Sequence, residues 1–314
     1  MPTAAQPFIL GISASSHDAA AALYRAGHCL AAIEEEKLSR VRRSHGLPQR
    51  SIHFCLQQAG VSPSQVQYVA VARPMRDRAR GAQLAETWIP AWLRQEFPGA
   101  RVVLVDHHAC HAAAAYYPSP FDNATVLTLD GAGDGRTGLV AAASGLNIEE
   151  LAEATFPDSL GALVSRVAVL LGYSRFGDEN KLQWLSPLGE PRYAQVFRAM
   201  LQTPETAPLQ VDSSYLVAED STNHGVASPG FSEKFFRECG LSTALDEAQR
   251  ADLAASLQAA LHDAVCTLAV RYSSAAGERN ICLGGGIALN ALLVAHLEQS
   301  GKFAGVFTHP AAGN

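Results

Sequence analysis

The chain has 314 residues, 48% of them hydrophobic and 17% charged, with a formal net charge of −6. That apolar share supports a sizeable core and excludes a disordered chain, and the length suits two domains or one large two-lobed domain. The acidic balance, with no basic block beyond the short run from Lys37 to Arg43, argues against a nucleic-acid surface, although that run could hold a small anion.

The six cysteines are scattered without a Cys-x-x-Cys pair, which reads as reduced thiols of a cytoplasmic protein. No basic leader precedes an apolar stretch. No apolar run reaches about 18 residues, so neither a signal peptide nor a membrane-spanning helix is expected.

The apolar run at 7–12 predicts a buried strand. A Ser-His-Asp turn follows, then two segments alternating about Gly27 that predict a β-hairpin continuing through the acidic run Glu34–Glu36 as an edge strand. Helices are predicted over 48–60, opened by Pro48 and closed by Gly60, and over 83–96. Strands are predicted at 66–72 and 101–108, the second running into the helical segment ACHAAAAYY.

The pattern then restarts. Residues 124–135 predict a strand ending in glycines, its hairpin partner follows, and a third strand lies at 151–156. This repeats the element order of 7–40 and predicts two similar lobes, 1–123 and 124–314, facing a cleft. An apolar helix at 159–173, an irregular insertion near 203–235 and a long helix at 246–273 come next. In the last of these, Leu253, Leu257, Leu261, Val265 and Leu268 recur every three or four residues. A strand, a triple glycine and a helix start occupy 280–290, and a last strand precedes the final residues. A lobe of this kind is normally closed by a further helix, which the sequence does not include.

Several short motifs carry chemistry. His107 and His111, four residues apart, share a helix face and suit one metal ion; His108 points elsewhere. Asp130 precedes glycines at a strand end, where a carboxylate can complete a two-histidine site; the same Asp-Gly pair also fits a plain hairpin turn. Gly284, Gly285 and Gly286, followed by Asn290, suit either an anion or nucleotide at a helix start or simply a tight turn. His17 in its small polar loop could act as a general base, with Asp18 orienting it or binding a group linked to an anion. Lys181 and Arg40 carry no signal alone.

As a set the motifs are more specific. Ser-His-Asp-Ala-Ala at 16–20, Glu-Glu-Glu-Lys-Leu-Ser-Arg at 34–40, His-His-Ala-Cys-His-Ala-Ala at 107–113 and Leu-Asp-Gly at 129–131 occur in order. They are joined by Tyr-Tyr-Pro-Ser-Pro-Phe at 116–121, Lys-Leu-x-x-Leu-Ser-Pro-Leu-Gly at 181–189, Gly-Gly-Gly-Ile-Ala-Leu-Asn at 284–290 and His-Pro-Ala-Ala-Gly at 309–313. Over essentially its whole length the chain resembles the N-terminal domain of the NodU/CmcH-type O-carbamoyltransferases.

The resemblance implies an α/β, two-lobed actin/sugar-kinase/Hsp70-like fold. It implies transfer of a carbamoyl group from carbamoyl-adenylate, made from carbamoyl phosphate and ATP, to a hydroxyl of a natural-product or glycan acceptor. It implies a divalent metal, iron in the family, on His107, His111 and Asp130, with His17 as base. Gly284, Gly285, Gly286 and Asn290 would then meet the adenosine, and Lys181 and Arg40 the phosphate or acceptor. The family's late Asp ligand falls on Asn314, a weaker ligand. The family's adenylate-forming C-terminal domain has no counterpart in the sequence, so the donor would come from such a domain in cis or in trans. A homodimer is compatible. The rival readings are a non-catalytic nucleotide-binding fragment and a relative of the tRNA threonylcarbamoyl transferases.

Overall fold

The computed structural model describes residues 6–14, 17–72, 89–133, 135–173, 177–217 and 230–313. Ser15 and Ser16, the start of the helix expected over 83–96, Asp134, part of the 203–235 insertion and Asn314 lie outside them. The chain divides into two compact units, one ending at Cys110 and the other running from His111 to Gly313.

The first unit is built on strands β1 (Phe8–Ser13), β2 (Ala20–Arg25), β3 (His28–Glu34), β4 (Val66–Ala72) and β5 (Arg101–Val105). They form one sheet in the order β3-β2-β1-β4-β5. The hairpin pairs are antiparallel and β1-β4-β5 are parallel. Alternation along β1 and β4 sends Leu10, Ile12, Val69 and Val71 into a core shared with Ile52, Cys55 and Leu56 of helix α2 (Gln49–Ala59) and Leu93 of helix α3 (Ile89–Glu96). Gly60 ends α2 in the left-handed conformation.

Helix α1 (Glu35–Ser39) corrects the expected strand over the acidic run. The strand alternation stops at Glu34, and the Glu35 carboxylate accepts from the Ser51 N–H (2.8 Å), the Ser51 hydroxyl (2.8 Å) and the Arg50 N–H (3.3 Å) at the start of α2. An acceptor facing those otherwise unsatisfied amides favours a turn of helix over another extended residue.

Helix α4 (His107–Tyr116) straddles the division between the units. The sequence places the lobe boundary at 123/124; the compact units divide inside α4, whose Ala112, Ala115 and Tyr116 pack on the second sheet against Val126, Leu139, Ala141 and Cys282.

That second sheet comprises β6 (Asn123–Gly133), β7 (Arg136–Ser144), β8 (Asn147–Thr155), β11 (Asn280–Gly284) and β12 (Gly305–Thr308), in the order β12-β11-β6-β7-β8. It repeats the first sheet strand for strand: three antiparallel strands, then two parallel ones beside the first of them. Its other face carries the largest core, formed with helix α5 (Leu160–Leu170), helix α6 (Asn180–Leu185), helix α7 (Ala194–Met200), a small ribbon of β9 (Leu201–Gln202) and β10 (Gln210–Val211), helix α8 (Glu233–Cys239), helix α9 (Glu247–Ala276) and helix α10 (Ala291–Gln299).

Asp246 and Gln249 cap α9 reciprocally. By length and composition α9 could cross a membrane, contrary to the expectation that no such stretch exists. Yet 72% of its apolar window is buried inside the unit, as in the core helix of a globular domain. All six cysteines are free thiols.

Candidate metal centre

Helix α4 begins at His107, directly after β5, rather than at the end of a longer strand as expected. Asp106 sets that start, its carboxylate accepting from the Ala109 N–H at 3.1 Å. One turn then aligns His107 with His111. Asp130 comes from β6, and the nearest ligand atoms of the three residues lie within 4.8 Å of one another. His111 Nε2 is 3.4 Å from Asp130 Oδ2, and His111 is only 6% exposed. His108 is fully buried, its ring 5.4 Å from that of His107.

Asp130 is not part of a hairpin turn. The β6–β7 ladder breaks between Leu129 and Gly133, and the next pair is Gly133 with Arg136. Asp130 therefore sits in an irregular stretch that frees its side chain from the strand alternation. The stretch is held from several sides. The Gly131 N–H donates to Asp130 Oδ1 at 2.8 Å. The Ser159 hydroxyl, which caps α5, lies 3.1 Å from the carbonyl oxygen of Asp130 and 2.6 Å from that of Gly131. The first turn of α5 presses so closely that a Cβ on Gly161 would lie 2.4 Å from the Gly131 nitrogen.

The triple glycine joins this cluster. A Cβ on Gly284 would lie 2.8 Å from the His111 carbonyl oxygen, one on Gly285 2.4 Å from that of Leu129, and one on Gly286 3.0 Å from Asp130 Oδ1. Gly285 also has φ +84°, open chiefly to glycine. The glycine turn is thus the surface against which both His111 and Asp130 are set.

The remaining sequence candidates have separate surroundings. The Asn290 side chain caps α10, accepting from the Leu293 N–H (3.1 Å), and donates to Gln258 Oε1 (2.8 Å). Lys181, on α6, pairs with Asp178 at 2.9 Å. Gln183 of the same helix accepts from the Ala291 N–H, tying α6 to the start of α10. Arg40 is an exposed left-handed cap of α1.

In the first unit His17 Nδ1 lies 2.9 Å from Asp18 Oδ2, and the same oxygen accepts from Arg43 Nη2 at 3.0 Å. Sequence reasoning missed Arg43 as a neighbour of His17, although it had marked the run from Lys37 to Arg43. It missed Ser159 and Gly161 altogether, which no motif announces.

Two imidazoles and one carboxylate, braced and largely buried, form a donor set suited to a first-row divalent ion such as iron or zinc. The sequence model described as carbamoyltransferase N-terminus matches residues 8–95 and 93–314. The chain belongs to the carbamoyltransferase family.

Nodulation protein NolNO of Sinorhizobium fredii is 34% identical over 316 residues, covering 94% of this chain and 44% of that protein. An uncharacterised protein of Synechocystis is 30% identical over 344 residues, covering 98% and 55%. The chain therefore spans about half the length of the curated relatives it matches. Among solved structures, component A of (R)-2-hydroxyglutaryl-CoA dehydratase from Acidaminococcus fermentans superposes with a TM-score of 0.52 at 18% identity, over 98% of this chain and 93% of that one. The fold expected from the sequence, α/β with two like-built lobes of the actin/sugar-kinase/Hsp70 kind, stands.

Proposed function

We propose that this chain is the carbamoyl-transferring domain of an O-carbamoyltransferase. The reading rests on one observation above the others: a chain of the carbamoyltransferase family carries His107, His111 and Asp130 as a braced, convergent ligand set. The donor is carbamoyl-adenylate, formed from carbamoyl phosphate and ATP by an adenylate-forming domain in cis or in trans. The acceptor is an alcohol.

The alcohol oxygen bonds to the carbamoyl carbon, the bond from that carbon to the phosphate oxygen breaks, and AMP leaves with the electron pair. A divalent ion on His107, His111 and Asp130, iron in the family resembled, supplies Lewis acidity toward carbonyl or phosphate oxygens when bound. His17 takes the proton of the alcohol, the work of a base near neutral pH. Gly284, Gly285 and Gly286 offer backbone to the adenosine part. Asn290 acts by fixing the start of α10 rather than by lending an amide already engaged in three hydrogen bonds. Lys181 and Arg40 serve the phosphate or the acceptor.

The test has two arms. Metal content is measured on the wild type, His107→Ala and His111→Ala; about one ion in the wild type and near none in the variants is expected, and equal near-zero content removes the metal from the reading. Chemically prepared carbamoyl-adenylate is then offered with a panel of hydroxylated acceptors, and carbamate esters are sought by mass spectrometry. Transfer supports the assignment; bound nucleotide with no turnover favours a non-catalytic nucleotide-binding domain.

A further inference from the structure

Three side chains of the first unit form a compact group in which only His17, read as the base, has a role so far. His17, Asp18 and Arg43 are each about three-quarters buried, with side-chain exposures of 22%, 24% and 24%. Asp18 Oδ2 is shared, 2.9 Å from His17 Nδ1 and 3.0 Å from Arg43 Nη2.

The backbone goes to some length to make this contact. Asp18 (φ +55°) and Arg43 (φ +56°) are two of only four non-glycine residues in the left-handed region among the described residues. Such strain persists where surrounding structure enforces it. Here the Ala19 N–H donates to the Ser44 carbonyl (2.9 Å) and the Arg43 N–H to Glu36 Oε2 (2.8 Å), so both loops are tied on either side of the contact.

Two neighbours compete for His17 Nδ1, the Asp18 carboxylate at 2.9 Å and Arg43 Nη2 at 3.5 Å, and the shorter contact sets the tautomer. An unprotonated Nδ1 would set a lone pair against a carboxylate oxygen at 2.9 Å, whereas Nδ1–H makes a charge-assisted hydrogen bond there. Arg43 donates to the same oxygen and keeps the carboxylate from turning away. We propose that Asp18 and Arg43 are positioning residues for His17. Asp18 holds the imidazole as its Nδ1–H tautomer, so that Nε2 carries the basic lone pair, and Arg43 holds Asp18.

The inference rests on the reading of His17 as the base. When the acceptor hydroxyl gives its proton to Nε2, the resulting imidazolium keeps its Nδ1–H on Asp18.

The test reads the tautomer without requiring turnover. In the full chain labelled with ¹⁵N-histidine at neutral pH, the His17 resonances are those lost in His17→Gln. The wild type is expected to show a protonated Nδ1 and an unprotonated Nε2. Asp18→Ala should move His17 toward the Nε2–H tautomer that isolated imidazole favours. Asp18→Asn should retain Nδ1–H, because an amide oxygen at the Oδ2 position still accepts from both neighbours. Arg43→Ala, which leaves Asp18 in place, should give a mixture and serves if Asp18→Ala fails to fold. A wild type with Nε2–H, or an Asp18→Ala spectrum like the wild type, overturns the proposal; an unchanged Arg43→Ala spectrum overturns the part given to Arg43.

With carbamoyl-adenylate supplied, Asp18→Ala should lower kcat about 10- to 100-fold with little change in the acceptor KM, within the range a positioned base contributes. A loss confined to KM counts against positioning. If the wild type transfers no carbamoyl group, the base reading fails while the spectra still decide the tautomer.

Discussion

At the scale of single residues, the triple glycine is explained by what a side chain would meet. A methyl group on Gly285 would need a left-handed alanine and would sit 2.4 Å from the Leu129 carbonyl oxygen, which is backbone and cannot swing aside. Gly285→Ala should therefore cost roughly 2–5 kcal/mol of stability. The methyl of Gly286→Ala meets only Asp130 Oδ1, at 3.0 Å, the end of a side chain. That variant should lose about 1 kcal/mol or less of stability but about 10- to 100-fold in metal affinity, as for other disturbed supports of a ligand. Thermal melts and metal titrations of the two variants separate these effects; a Gly286→Ala protein that is badly destabilised yet binds metal normally would contradict the account. His107, His111, Asp130 and the glycines were each legible in the sequence as types at telling positions. That His107, His111 and Asp130 make one ligand set was legible too; that the glycine turn packs against it was not. That packing depends on β11 pairing with β6, Gly284 opposite Thr128, across some 150 intervening residues, and no local pattern reports such a pairing. Ser159 and Gly161 were illegible for the same reason: a serine cap and a helix glycine acquire meaning only once the Asp130 backbone lies against them.

At the scale of elements, strongly periodic segments were read well. The leucine spacing of α9, the Pro48 and Gly60 limits of α2 and the hairpins all follow local rules. The acidic run was misread because Glu35 answers to the start of α2, fifteen or more residues away. The contact between α9 and α10 was also invisible in the sequence, and it carries a pH dependence. His262 stacks on His296 at 4.3 Å, and its Nε2 lies 2.7 Å from Gln258 Nε2. Burial, and then the neighbouring His296, push the His262 imidazole down to about 4 from 6.5. Below pH 6.5 the unfolded chain takes up this proton and the folded chain does not. The contribution is therefore full above pH 6.5 and is lost as the pH falls from there through about 4. Urea unfolding at pH 7, 5.5 and 4.5 should show this slope in the wild type and a flatter one in His262→Gln. Parallel slopes would mean that His262 titrates normally in the folded state.

At the scale of the molecule, the duplicated sheet order was visible as a repeat of element types without matching residues, because topology follows hydrophobic period and turn chemistry, not identity. Each unit has its own core. A divalent ion held by His107, His111 and Asp130 should stabilise the fold by about 2.7 kcal/mol at a hundredfold excess over its Kd. For a chain of 314 residues that raises Tm by roughly 4 °C. Scanning calorimetry of the wild type and His107→Ala, with and without ion under anaerobic conditions, measures it; an equal shift in both proteins would place the ion elsewhere. The close seating of the glycine turn has a further consequence. The backbone of 284–286 rests against the His111 carbonyl, the Leu129 carbonyl and the Asp130 carboxylate, so neither the turn nor the ligand set can shift without the other. If an anion settled on the turn and an ion on the ligand set, any coupling between them would be reciprocal: whatever factor the anion changes the affinity for the ion, the ion must change the affinity for that anion by the same factor.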